Sequence, residues 1–121
     1  MEAKKTLMLG ATDNPQRYAY LALEKLLRYN HPVVGIGRKD TQALGIDIHK
    51  SLTNFPDIHT ITLYLNPTNQ KPYYNYIIDL HPKRVIFNPG TENPELYQIL
   101  KEKGIDYEEA CTLVLLGTHQ Y

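Results

Sequence analysis

Short apolar runs alternate along the chain with amphipathic stretches. Thr6 to Leu9 reads TLML and breaks at Gly10, the form of a strand buried on both faces. Asn14 then suits a helix N-cap and Pro15 its first turn, and Ala19, Ala22, Leu23, Leu26 and Leu27 recur at helical spacing to about Tyr29. His31-Pro32 stops that helix. Val33 to Ile36 is a second strand ended by Gly37, and a polar segment from Arg38 to Leu44 leads to Gly45. Residues 46–57 carry no readable element, and Pro56 excludes a long regular one. Thr60 to Leu65 alternates threonine with aliphatic residues as a third strand, ended by Asn66-Pro67. Pro72 opens a helix with Tyr73, Tyr76, Ile77 and Leu80 on one stripe, closed by Pro82. Arg84 to Phe87 is a fourth strand, followed by the Asn88-Pro89-Gly90 turn. Asn93-Pro94 starts another helix, with Leu96, Ile99 and Leu100 on one face and Gly104 as its end. Ile105 to Tyr107 is a short fifth strand. The final ACTLVLLGTHQY fits helix or strand equally in its first half.

This alternation predicts one α/β domain over residues 1–121, a Rossmann-like and mostly parallel sheet of about five strands with helices on both faces. Such sheets bind ligands outside the carboxyl ends of their strands, where strand order reverses. The residues at those ends are Gly10-Ala11-Thr12-Asp13-Asn14, Gly37-Arg38-Lys39, Asn66-Pro67-Thr68-Asn69-Gln70 and Asn88-Pro89-Gly90-Thr91-Glu92-Asn93. Four of the eight prolines follow an asparagine, and all four pairs fall on this edge. Turn and cap chemistry accounts for any one pair. Together they suggest a rim lined by amides and hydroxyls.

Composition narrows the partners. With 13 basic and 13 acidic residues the formal net charge is zero, so no broad positive field exists to bind nucleic acid. The longest apolar stretch, LVLL, is far too short to span a bilayer, the N-terminus lacks the apolar core of a signal peptide, and a single cysteine suits a reducing compartment. The expectation is a soluble, cytoplasmic protein. Ten tyrosines against two phenylalanines imply several half-buried rings with wet hydroxyls.

Two features point to an anionic ligand. A helix that starts at the tip of the first strand offers free N–H groups and a positive dipole end, and Arg17 lies within reach of an anion held there. Asp13 counts against a phosphate. At the end of the second strand a nicotinamide-dinucleotide fold carries an acid for the ribose hydroxyl, whereas this chain has Arg38 and Lys39, which suit a phosphorylated ribose. No G-x-S-x-G elbow occurs, and the five histidines show no i, i+4 pair, so no triad or metal site is expected.

The Gly-Ala-Thr-x-Asn-Pro-x-Arg-Tyr loop from Gly10 to Tyr18, IFNPGTEN from Ile86 to Asn93, and the late Cys111 together resemble the small CoA-binding proteins. These are free-standing versions of the CoA-binding domain of the succinyl-CoA synthetase α subunit. The resemblance runs from Lys5 to about Thr112. It implies a CoA or acyl-CoA whose pyrophosphate meets Gly10, Ala11, Thr12 and Arg17, beside Asn14, and whose phosphorylated ribose meets Arg38 and Lys39 after Gly37. Leu65, Asn66 and Pro67 would flank the adenine or pantetheine, with Asn88, Pro89 and Gly90 on the far side. The synthetase's phosphohistidine domain and second subunit have no counterpart in 121 residues, so binding is implied and catalysis is not. Two alternatives stay open: an NADP-dependent enzyme or redox sensor, since the same cations suit a 2′-phosphate, and a protein-interaction module that has lost its ligand.

Overall fold

A computed structural model describes residues 2–121. The elements follow the order β1 (Thr6–Leu9), α1 (Tyr18–Arg28), β2 (Val33–Ile36), β3 (Thr41–Ala43), β4 (Ile46–His49), β5 (Thr60–Leu63), α2 (Pro67–Gln70), a 3-10 turn (Lys71–Tyr73), α3 (Tyr74–Leu80), β6 (Arg84–Phe87), α4 (Pro94–Glu102), β7 (Asp106–Glu109) and α5 (Thr112–Gly117). The sheet has seven strands in the order β3-β4-β2-β1-β5-β6-β7, all pairs parallel except β3 with β4. The chain steps from β1 to β2 on one side and later returns to β5 on the other, so strand order reverses at β1 and β5.

The expected α/β fold is present, with two strands more than expected. The extra pair is the β3–β4 hairpin, turned at Leu44–Gly45 with φ of +53° and +79°. Two successive positive φ values make the type I′ turn that matches strand twist. Leucine in place of the usual asparagine hides that turn from sequence. The final segment is helix. The helix expected from Pro72 begins at Asn66, whose side chain caps α2 by accepting from Asn69 N–H at 2.9 Å, and continues through the 3-10 turn into α3.

Strand residues alternate between two cores because successive side chains point to opposite faces. Leu7, Leu9, Ile61, Leu63, Val85 and Phe87 pack with Ile77 of α3 and Leu96 and Leu100 of α4. Met8 and Ile86 pack with Ala22, Leu23 and Leu26 of α1 and Leu116 of α5. Each fully buried aliphatic side chain contributes about 1.5–3 kcal/mol.

The second face also carries buried threonines at 6, 60 and 62. Buried hydroxyls need partners. Thr62 Oγ1 lies 2.9 Å from Thr112 Oγ1 of α5, Thr6 Oγ1 lies 2.6 Å from the Tyr121 hydroxyl, and Arg84 Nε donates to Thr60 Oγ1 at 2.8 Å. The Arg84 guanidinium also sits 4.4 Å from the centre of the Tyr121 ring. The threonine alternation therefore marks the face on which the chain's last residues dock. Tyrosines behave as expected: the half-buried Tyr97 ring packs edge-on against Phe87 at 4.6 Å while its hydroxyl donates to Glu109 at 2.6 Å.

Buried His31 accepts the Lys4 backbone N–H at its Nδ1 (2.9 Å) and packs 4.8 Å from the Tyr121 ring. Burial, followed by the nearby Lys4 and Arg84 charges, holds its pKa below the ordinary 6.5. His59, shifted the same way by burial and then Arg84, adds to the effect. A histidine held neutral stabilises fully above its unfolded pKa and loses that contribution as pH falls from there towards the folded pKa. The urea midpoint is therefore expected to drop on acidification below 6.5, and less steeply in His31→Asn. An equal slope in wild type and variant would remove His31 as its source.

Candidate functional site

In the aligned register Leu9, Ile36 and Leu63 lie side by side, so β1, β2 and β5 end in one row and their loops leave together. The next residues touch closely. Gly10 has φ +92°, and a Cβ there would stand 2.8 Å from the Tyr64 carbonyl oxygen. At Gly37 a Cβ would come within 2.4 Å of the Ala11 carbonyl oxygen and 2.9 Å of Ile48 Cγ2. No side chain fits at either position without moving backbone. Above this floor lies a cleft of about 590 Å³, within the range of small-molecule sites.

Gly10, Ala11, Thr12, Asn14, Arg17, Gly37, Arg38, Lys39, Leu65 and Asn66 all line this cleft. Pro67, Asn88, Pro89 and Gly90 do not. Pro67 occupies the first turn of α2. Asn88 is buried and fully engaged: Nδ2 donates to Thr62 Oγ1 (2.7 Å) and the Leu63 carbonyl (2.9 Å), and Oδ1 accepts the Thr112 N–H (2.9 Å). The loop that follows closes on itself through Thr91 Oγ1 to the Asn88 carbonyl (2.7 Å) and Gly90 N–H to Glu92 (2.8 Å). Cys111 precedes α5 at its N-cap position and also lies off the cleft.

Helix α1 enters the cleft differently from the pattern expected. Asn14 caps no helix; its Oδ1 accepts Gln16 N–H at 3.0 Å in a tight turn, and α1 begins at Tyr18 with Arg17 as an N-cap that makes no side-chain cap. Gly10 and Ala11 N–H both donate to the Ile36 carbonyl at 3.0 Å, so these residues supply space and not donors. The N–H groups of Thr12, Tyr18 and Ala19 have no such partner among the described residues. Those of Tyr18 and Ala19 belong to the first turn of α1, at the positive end of the helix dipole, and all three residues line the cleft.

The charges divide unequally. Arg17 and Arg38 are exposed and form no ion pair among the described residues. Lys39 Nζ lies 3.5 Å from Asp13 Oδ2, which also accepts the Thr41 hydroxyl at 2.9 Å. The Thr41 bond first, and the Lys39 charge after it, hold the Asp13 carboxyl below its ordinary value, so it stays ionised. The sequence counted Asp13 against a phosphate, placed Asn69 on the ligand edge without a contact of its own, and marked no site role for Tyr18, Thr41, Tyr64 and Tyr73; all six line the cleft. Asn69 and Tyr73 follow Asn66 by one and two helical turns, a spacing legible only once the helix is known to start at Asn66. Among the described residues no group of three or more His, Cys, Asp or Glu could hold a metal ion, and no helix is long and apolar enough to cross a membrane.

The cleft lies at the point of strand-order reversal of a Rossmann-like sheet, floored by two obligatory glycines and opening on a helix N-terminus, the place where such sheets bind ligands. The sequence matches the model of the CoA binding domain family over residues 4–117, and the chain belongs to that family. It is similar to a crystal structure described only as an uncharacterized protein, with 50% identity over 100% of both chains and a TM-score of 0.97. A hypothetical protein from Pyrococcus horikoshii OT3 is 26% identical over 93% of this chain and 80% of its own, with a TM-score of 0.84. A Thermus thermophilus protein shares the fold at 21% identity, 98% and 91% coverage and a TM-score of 0.86. No protein of curated function matches the sequence.

The bonding of Asn88 makes it a structural clamp between β5, β6 and α5. Asn88→Ala is expected to cost about 2–4 kcal/mol, because it strands the Thr112 N–H and one Thr62 acceptor in the interior. Urea unfolding measures this; a cost below about 0.5 kcal/mol, the range of ordinary surface changes, would show the clamp idle.

Proposed function

We propose that the protein binds CoA or an acyl-CoA in this cleft and acts by binding, as a carrier or regulatory protein with no chemistry of its own. The observation that carries this reading is the convergence of uncapped α1, Arg17 and Arg38 on one cleft, with neither arginine neutralised by an ion pair among the described residues. Such a site favours a ligand with several phosphates.

The diphosphate belongs at the Thr12, Tyr18 and Ala19 amides, where Arg17 can close on it bidentately. Gly10 and Ala11 let the ligand approach the sheet edge. Arg38 and Lys39 take the phosphate of the ribose, after Gly37 has brought that loop against Ala11. Leu65, Asn66, Asn69 and Tyr73 form the opposite wall, apolar and amide in character, suited to the adenine or the pantetheine arm. CoA itself would supply a thiol as the acyl-bearing group.

NADP also carries a phosphorylated ribose, so the cations do not separate it from CoA. A thermal-shift panel of CoA, dephospho-CoA, NADP, NAD and ATP does. Ligand at 100 times its Kd should stabilise by about 2.7 kcal/mol. CoA is expected to raise Tm and NAD to leave it unchanged; an equal shift with NAD, or a larger one with NADP, would overturn the assignment.

Titration calorimetry of Arg38→Ala/Lys39→Ala tests the ribose end. CoA is expected to weaken about tenfold or more while dephospho-CoA hardly changes. Equal loss for both would place these side chains away from the 3′-phosphate.

A further inference from the structure

Asp13 is a carboxylate in the cationic end of a cleft read as an anion site, which asks for a reason. Its contacts to other side chains fall on one oxygen: Oδ2 accepts from Thr41 at 2.9 Å and lies 3.5 Å from Lys39 Nζ. No other residue among those described donates to Oδ1, and the side chain keeps 36% of its exposure, within the cleft. An ionised carboxylate has about four acceptor sites across its two oxygens. Thr41 opens β3, so the hairpin that sequence failed to show is what fixes this acid beside Lys39.

A bare carboxylate beside a phosphate repels it, a cost that a hydroxyl on the same ligand offsets by donating to the carboxylate. In a ribose phosphorylated on one secondary hydroxyl the remaining hydroxyl sits on the adjacent carbon. Acid and ammonium held side by side match that pair, the ammonium taking the phosphate and the acid accepting the hydroxyl proton. We infer that Asp13 is a specificity-determining residue: its Oδ1 accepts a hydrogen bond from the free ribose hydroxyl next to the phosphate bound by Arg38 and Lys39. The cleft then reads a phosphate and a hydroxyl together. This rests on the CoA reading, in which the hydroxyl is the 2′ one.

The test compares 3′-phosphoadenosine 5′-phosphate with its 2′-deoxy analogue, alongside CoA, by titration calorimetry. Both nucleotides carry the same phosphates, so the general repulsion from Asp13 cancels in the ratio of their Kd values. Wild type is expected to bind the 2′-deoxy analogue about tenfold more weakly, and Asp13→Ala to bind the two equally. Thr41→Val, which frees the carboxylate to swing, should lower the ratio without abolishing it. It supplies the second reading should Asp13→Ala not fold. CoA binding with a ratio near one in wild type, or with an unchanged ratio in Asp13→Ala, overturns the role of Asp13 and leaves the CoA assignment standing. Absence of CoA binding overturns both.

Discussion

The loop after β1 runs so close to its two neighbours that side chains are excluded at the contacts. The Gly37 Cα carries no Cβ because the Ala11 carbonyl oxygen occupies its place, and Gly10 turns at φ +92° under the Tyr64 carbonyl. Everything functional hangs on that approach. It brings the ends of β2, β1 and β5 into one row, aims the chain from Thr12 to Arg17 across the row, and delivers the start of α1 to the cleft. Three short parallel ladders with common ends hold the approach in place, since slipping one strand by a residue would send its apolar set to the opposite face.

Stability and binding are divided between neighbouring loops that look alike in sequence. Each of the four Asn-Pro asparagines has a backbone or packing duty: Asn14 closes a turn, Asn66 and Asn93 cap helices, and Asn88 ties β5 to α5. Asn93 goes further, donating to Gln70 Oε1 and the Tyr74 hydroxyl at 2.8 Å each, while Gln70 Nε2 reaches the carbonyls of Leu65 and Thr91. This buried network fixes the wall that carries Leu65 and Asn66 relative to the β6 loop. Fully satisfied, it holds that wall rigid.

Charge is organised locally in a chain that is neutral as a whole. Zero net charge argues against long-range steering, yet Arg17 and Arg38, in no ion pair among the described residues, and an uncapped helix end meet in one concavity. The chain belongs to the CoA binding domain family, and the local field and the obligatory glycines meet at this one concavity.

Local sequence determined much of this. Apolar runs ended by glycine gave β1 and β2 to the residue, the run before Asn88-Pro89 gave β6, and the parallel α/β class followed from their alternation with helices. Three of the four loops expected at the ligand edge do line the cleft. The β3–β4 hairpin was illegible because Leu44 takes a positive φ that its side chain does not advertise, and the start of α1 was misplaced because Asn14-Pro15 serves a turn as readily as a cap. What only the tertiary structure decided was direction. Periodicity says which residues share a face, but not that Asn88 turns inward to Thr112 while Asp13 turns across to Thr41 and Lys39. Those choices depend on partners that lie 24 residues away for Asn88 and 28 for Asp13, brought near by strand register and by a hairpin that local pattern does not encode.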